Sequence, residues 1–510
     1  MQTSAAEQAG AFLRVADYFN LGHILTEQAH PKTRHLSEAA QQQLDAAIVL
    51  LKNIDVEAFD AFSQQLAKIY PLSRAVQHTL KEGGRIFLCG CGATGRLALF
   101  LEFLWRQIHA DDRVVAFMAG GDIALVHALE GFEDFSEYGD RHLAQPGFDH
   151  NDLLIACSEG GETPFVIGAV EKAAAISRRQ PYFLYCNPDH VLTSIPRSKK
   201  LIENPAVNTV SLPVGPMSLA GSTRMQASSV LQLAIGLALF FRSQSIPDAV
   251  ATFMEHYRQT PLQNIKPLIV NEADIYRQHD KIIYVVKDYG ITAFTDTTER
   301  APTFSLVAFD NLSRKLANHS LCYVALANAF ESSHAWHILL GRAPRSLEWL
   351  TNDKTRQAYL LSYDFSESGM RKRQAMLPHC GHHLFHIEKT THNTVRLALD
   401  GHEVEFSVHG LHPLFEHTLL KSLLNNHSTL VMGRLQRYTY NLMTYVNPSN
   451  GKLIDRATRY VQWLLQYQNH ERVSYRAVVH ELFLQKTMLR EGEAIVIKAY
   501  EAIKRRHGLP

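Results

Sequence analysis

At 510 residues the chain is too long for one ordinary hydrophobic core, so two or three domains are expected. Its 51 Lys+Arg against 50 Asp+Glu leave a net charge of +1, which excludes the basic field of a nucleic-acid binder and the acidic tail of a charged interaction segment. Six scattered cysteines, Cys89, Cys91, Cys157, Cys186, Cys322 and Cys380, fit a reduced interior better than a disulfide framework, and Cys89-x-Cys91 has no second Cys/His pair of metal-site spacing.

The N-terminal stretch MQTSAAEQAGAFLRVADYF lacks the apolar region of a signal peptide. The longest apolar run, residues 230–241, is too short to span a bilayer. A soluble cytoplasmic protein without membrane contact is expected. Residues 1 to about 80 read as helical, with apolar side chains at three- and four-residue spacing through SEAAQQQLDAAIVLLKNI and VEAFDAFSQQLAKI. From Arg85 the period changes. Apolar runs at 86–88, 114–118, 153–156 and 182–185 alternate with helical patterns, the order of a parallel sheet covered on both faces. A helix from about Gly221 to Arg242 closes this unit.

A second alternation follows. Strands are predicted at 281–286, 358–365 and 383–388, then a hairpin turning at Asp400-Gly401, then a long helix from about Pro413 and a helical tail over 455–510. The glycine turns of the two blocks (Gly90, Gly290) and their Ser-Glu loops (Ser158, Ser366) each lie about 200 residues apart, so an internal duplication is expected. The predicted organisation is a helical segment over 1–80, α/β units over 81–245 and 246–445, and a helical cap over 446–510.

The stretch GRIFLCGCGATGR (84–96) is a strand running into a G-x-G-x-x-G turn and a helix. A dinucleotide site wants an acid at the end of the second strand, where only Asp122 stands, behind two glycines. A compact phosphate suits the turn better. Gly92, Ala93 and Thr94 would offer backbone N–H groups and a hydroxyl, and the loop Ser158-Glu159-Gly160-Gly161-Glu162-Thr163 would face them across the switch point. Thr94 has a second reading as the cap of its helix. A phosphorylated sugar is the natural ligand class.

These residues carry a family likeness. The stretches ILTEQAHPKTRHLS, GRIFLCGCGATGRL, AGGDIALVHALEGFED, TPFVIGAVE, CNP and GPMSLAGSTRM, in order over most of 24–235, resemble the sugar-isomerase (SIS) superfamily, in the branch of N-acetylmuramic acid 6-phosphate etherase and glucokinase regulatory protein. The resemblance implies an α/β fold of two doubly wound parallel-sheet domains packed as a pseudo-dimer, binding a sugar phosphate without metal, nucleotide or other cofactor. The etherase resembles one block and pairs as a homodimer, whereas the regulator carries two blocks in one chain, as here.

Removal of lactate from C3 of the sugar needs a base for the C2 proton and an acid for the departing ether oxygen, hence two carboxyls facing one sugar. By resemblance, Glu133 of EGFED is one of them. The other family glutamate lies in D-A-S-E-C-P-P-T-Y; in the first block its position falls on Leu104, but DTTERAPTF (296–304) of the second block matches it and puts Glu299 there. Block one would thus keep the phosphate cradle and block two the glutamate. In this chain the family's second loop serine is Gly160, its lysines are Gln226 and Gln232, and a later lysine falls on or near Thr418, which leaves His417 or Lys421 to replace it. The segment NLMTYVNPSNGKL (441–453) also resembles the etherase after its last core helix.

Two functions stay open at this stage. The first is a sugar-phosphate sensor or regulator in carbohydrate (amino sugar) metabolism, reporting to a sugar kinase or other protein partner. The alternative is an etherase-type lyase with Glu133 and Glu299 as its acid/base pair.

Overall fold

The computed structural model describes residues 4–127, 129, 131–312, 318–350, 356–490 and 492–509. The first sheet is parallel, in the order β2-β1-β3-β4-β5, with β1 Ile86–Gly90, β2 Val114–Met118, β3 Leu153–Cys157, β4 Tyr182–Tyr185 and β5 Asn208–Ser211. β1 is the pivot: Ile86 pairs with Val114 on one side and Leu153 on the other. Both faces are buried, which is why these strands read as unbroken apolar runs. Ile86 and Leu88 join the main core, while Phe87 and Cys89 face a second cluster built on the helix Pro164–Ile176.

The second sheet has the order β10-β9-β8-β6-β7, with β6 Lys281–Val286, β7 Cys322–Leu326, β8 His382–Lys389, β9 Thr394–Leu399 and β10 His402–Ser407. β6 pairs in parallel with β7 and β8, as β1 does with β2 and β3. The duplication is therefore visible as a shared pivot and two flanking strands. Beyond these the halves diverge, because β8, β9 and β10 run antiparallel and leave one face of the hairpin to solvent. Its two-residue turn has Asp400 and Gly401 at φ +47° and +80°, the left-handed pair that the sequence signal called for.

Two expectations are corrected here. Residues 358–365 are not a strand: Gln357–Leu361 is a short helix, and the Trp336 indole donates to the carbonyl of Leu360 in its last turn and to that of Tyr363 just beyond it. An apolar run of this length carries no periodicity that separates strand from helix. The Ser366 loop is consequently no counterpart of Ser158, since it precedes β8 whereas Ser158 follows β3. Ser366 caps the helix Glu367–Met376 by accepting from the Gly369 N–H at 3.1 Å. The strands β5 and β7 have no counterpart among the strands expected from sequence.

The two halves share one continuous core. Its axis is the helix Pro413–Arg434, buried from Leu414 to Gly433 and packed on the helices Leu44–Ser63, Gln226–Phe240, Lys266–Arg277 and Gly290–Phe304. Polar side chains on this helix are spent inside: Asn426 donates to Asp55, and Ser428 donates to Asp296 at 2.7 Å. The helices that follow the two pivots, Ala93–His109 and Gly290–Phe304, pack on each other and make the pseudo-dimer contact. The last helices, Gly451–Asn469, Tyr475–Thr487 and Ile495–His507, pack together and against the N-terminal segment, on Ala5–Leu13 and Ala16–Phe19. Among the described residues no helix is long and apolar enough to cross a membrane.

Candidate functional site

The glycine turn after β1 is fixed by its own backbone. A Cβ on Gly90 would lie 2.3 Å from the Thr94 carbonyl carbon, and Gly92 sits at φ +54°, so both positions demand glycine. The Thr94 hydroxyl is fully buried. It accepts from the Cys91 N–H at 2.9 Å and donates to the Cys91 carbonyl at 2.8 Å, so it closes the turn. Thr94 lies in the first turn of the helix Ala93–His109, whose N-cap is Gly92 with no side-chain bond, so its hydroxyl closes the turn and does not cap the helix.

Beside this turn, at the carboxyl ends of β1 and β2 and below the loop after β3, lies a cavity of about 200 Å³. This is where ligands bind in open parallel sheets. Of the residues singled out from sequence, Gly92, Ala93, Glu133, Glu159, Thr163 and Glu299 line it, and Thr94, Ser158, Gly160, His417 and Lys421 do not. Ser158 and Thr163 hydrogen-bond each other through their hydroxyls at 2.9 Å, and the Ser158 oxygen accepts from the Gly161 N–H at 3.1 Å.

Glu299 enters from the second half. Its Oε1 lies 2.5 Å from Arg96 Nη1, a residue of the first half, and the same guanidinium donates to Thr298 Oγ1 and to the carbonyls of Ala124 and Leu125. Glu133 Oε1 accepts from Asn450 Nδ2 at 2.7 Å and its Oε2 from the Cys91 thiol at 3.5 Å. Burial, with Glu133 and Glu162 alongside, pushes the neighbouring Asp134 up to about 6.

The two loop glutamates behave differently. Glu162 turns away from the cavity toward Arg197 at 2.6 Å and Lys452 at 2.8 Å; burial opposes its charge, but those two cations hold it below the usual carboxylate range. Glu159 lines the cavity, 8% exposed, and among the described residues its Oε1 has no hydrogen-bond partner. Burial raises Glu159 to about 7 despite a bond from its own backbone N–H and the nearby Lys452.

The positions where the family carries lysine are internal in this chain. Gln226 donates to Asp55 and Gln232 donates to Thr418, both in the core. Lys421 spends its ammonium on the Arg224 carbonyl and Ser229 Oγ, each at 2.7 Å, and burial lowers it to about 7. His417 is closed in by Phe100 and Tyr289 and bonded to Thr292, with burial lowering it to about 3. The expectation that one of these two reaches the ligand is therefore not met by the geometry.

The cations that do line the cavity are Arg96, Arg224, Lys452 and Arg456. Arg456 is paired with Glu27, and Arg224 with Asp296. Sequence reasoning did not select them. The signals were nevertheless present: Arg96 ends the GCGATGR turn, and Asn450 and Lys452 belong to the NPSNGKL stretch. The acid considered for a ribose is accounted for as well. Asp122 is bound by Arg342 at 2.5 and 3.1 Å and by the Arg345 N–H at 2.7 Å, so it is consumed by the contact between the halves.

Two sheets built on the same pivot and two parallel neighbours, the first with a glycine turn, are compatible with two SIS-type domains. Comparison with known proteins gives the family. The model of the glucokinase regulatory protein N-terminal SIS domain matches residues 69–174. The N-acetylmuramic acid 6-phosphate etherase of Rippkaea orientalis is 32% identical over 218 residues, 42% of this chain and 67% of that protein. The etherase of Nostoc sp. is 30% identical over 225 residues, 44% of this chain and 69% of that one. Another etherase, from Prochlorococcus marinus, is matched over 65% of its length. The crystal structure of tagatose-6-phosphate ketose/aldose isomerase from Escherichia coli covers 78% of this chain and 96% of its own at 12% identity and a TM-score of 0.44. The chain belongs to the SIS-domain family of N-acetylmuramic acid 6-phosphate etherases and glucokinase regulatory proteins.

Proposed function

We propose that this chain is a carbon–oxygen lyase of the etherase type, acting on a sugar 6-phosphate such as N-acetylmuramic acid 6-phosphate. The observation that carries this reading is that Glu133 from the first half and Glu299 from the second line one cavity at the carboxyl ends of β1 and β2. One carboxyl takes the C2 proton, the C3–O bond breaks, and the other protonates the departing lactate oxygen. The Gly92 and Ala93 turn at the helix N-terminus, with Lys452 and Arg96 as the nearby cations, would receive the phosphate. In this reading the working unit is 81–245, completed by Glu299 from 246–445 and by the cap over 446–510.

A second reading, a phosphosugar sensor acting on a protein partner, is favoured by a specific observation. The hydroxyls of Thr94, Ser158 and Thr163 are engaged within their own loops, and the Glu299 carboxylate is ion-paired to Arg96. A proton NMR time course with N-acetylmuramic acid 6-phosphate separates the two. Free lactate supports the lyase. Line broadening of the ligand with no lactate rejects the lyase and supports the sensor.

A further inference from the structure

The cavity contains a third carboxyl for which neither acid/base chemistry nor phosphate neutralisation has a use. Glu159 stands on the loop that faces the glycine turn, nine-tenths buried, and its Oε1 is unpartnered among the described residues while lining the same space as Glu133 and Glu299. A buried acceptor without a donor is a costly arrangement unless a ligand or a proton completes it. Its surroundings do not neutralise it fully. Lys452 and Lys421 act on it favourably from the helices Gly451–Asn469 and Pro413–Arg434, and Glu299 acts against it from Gly290–Phe304. The thiols of Cys91, Cys157 and Cys186 close in from the ends of β1, β3 and β4. Arg96, Arg224 and Arg456 line the same cavity but point their charges at Glu299, Asp296 and Glu27.

We propose that Glu159 selects the protonation state of the ligand complex: the bound phosphosugar and Glu159 share one proton, with the Glu159 carboxyl donating it to a phosphate oxygen. The inference rests on the phosphosugar reading of the cavity. An anionic Glu159 would repel a phosphate in a space of about 200 Å³, whereas a neutral carboxyl is a strong donor to one, giving a short charge-assisted O–H···O⁻ bond. No covalent bond changes; one proton is taken from solvent on binding and returned on release. Burial already brings Glu159 to about 7, so little free energy is needed to protonate it near neutral pH.

The test is titration calorimetry of the full chain at pH 8, in two buffers of different ionisation enthalpy, with N-acetylglucosamine 6-phosphate, the same phosphosugar without the lactyl ether and so not cleaved. The wild type is expected to take up close to one proton, and its affinity to fall about tenfold between pH 7.5 and 8.5. Glu159→Gln, which keeps a donor but cannot titrate, is expected to take up none and to hold its affinity within about twofold over that range. Binding by the wild type with no proton taken up overturns the inference while leaving the phosphosugar reading intact, and this arm needs no variant. Equal pH dependence in the wild type and Glu159→Gln overturns it too. Absence of binding at every pH from 5.5 to 8.5 overturns both the inference and the reading.

Discussion

The residues of the cavity differ in how they are held, and that difference sets what substitution will do. Glu299 is oriented by one strong ion pair to Arg96. Glu299→Gln keeps the shape but removes a carboxyl that can exchange a proton, and on the lyase reading it is expected to lower kcat at least 100-fold, with binding retained in calorimetry. Glu159 gives a stability prediction with a defined sign. Its pKa in the folded chain, about 7, lies above its ordinary value of 4.5. Between those limits the unfolded chain binds fewer protons than the folded one, so the wild type loses stability as pH rises through that window. Glu159→Gln removes this slope. Urea midpoints of the two proteins are expected to coincide near pH 4 and to separate by pH 8, with the variant more stable by about 3 kcal/mol. Glu133 and Glu299 were legible in the sequence because short motifs surround them. The engagement of His417 and Lys421 was not, since whether a lysine faces a pocket or a backbone carbonyl is decided by packing between elements far apart in the chain.

Elements were legible where burial gave them a period or a punctuation mark. The parallel strands β1 to β4, the Asp400-Gly401 hairpin and the axial helix from Pro413 all fall where their patterns predicted them. The short edge strand β5, half-buried along Asn208–Ser211, lacks the apolar run that marks its neighbours. β7 has such a run, in an alanine-containing stretch that equally fits a buried helix. The helix at 357–361 is the reverse case, a run that reads as a strand and is wound instead. The glycine turn after β1 is the element most tightly specified by its residues. Gly90→Ala would force a Cβ into the Thr94 backbone and is expected to destabilise the chain by about 1–3 kcal/mol, measured as a lowered urea midpoint. On the phosphosugar reading, binding should weaken together with stability, because the same helix N-terminus forms the cavity wall.

At the scale of the whole molecule the halves are joined by buried ion pairs as well as by the shared core. Arg342, from the second half, reaches Glu102 at 3.0 Å and Asp122 at 2.5 Å in the first, and Arg345 adds a contact to Glu102 at 2.8 Å. Removing one partner of such a group strands the others in a low-dielectric interior. Arg342→Ala is accordingly expected to cost about 3 kcal/mol, read from chemical denaturation, with Arg345 limiting the loss. Double substitution of Arg342 and Glu102 by apolar residues should cost less than the sum of the single changes, a sign of direct coupling.

The walls of the cavity come from opposite ends of the chain: the glycine turn begins at Cys91, and Asn450, Lys452 and Arg456 close the far side. A ribosome adding about 5–20 residues per second needs roughly 20–70 s to travel that distance. Throughout that interval the emerging first half holds Glu133, Glu159 and Glu162 without Asn450 or Lys452. On the phosphosugar reading the nascent chain lacks a complete pocket until the helix from Gly451 arrives, and truncation ahead of that helix is expected to abolish binding.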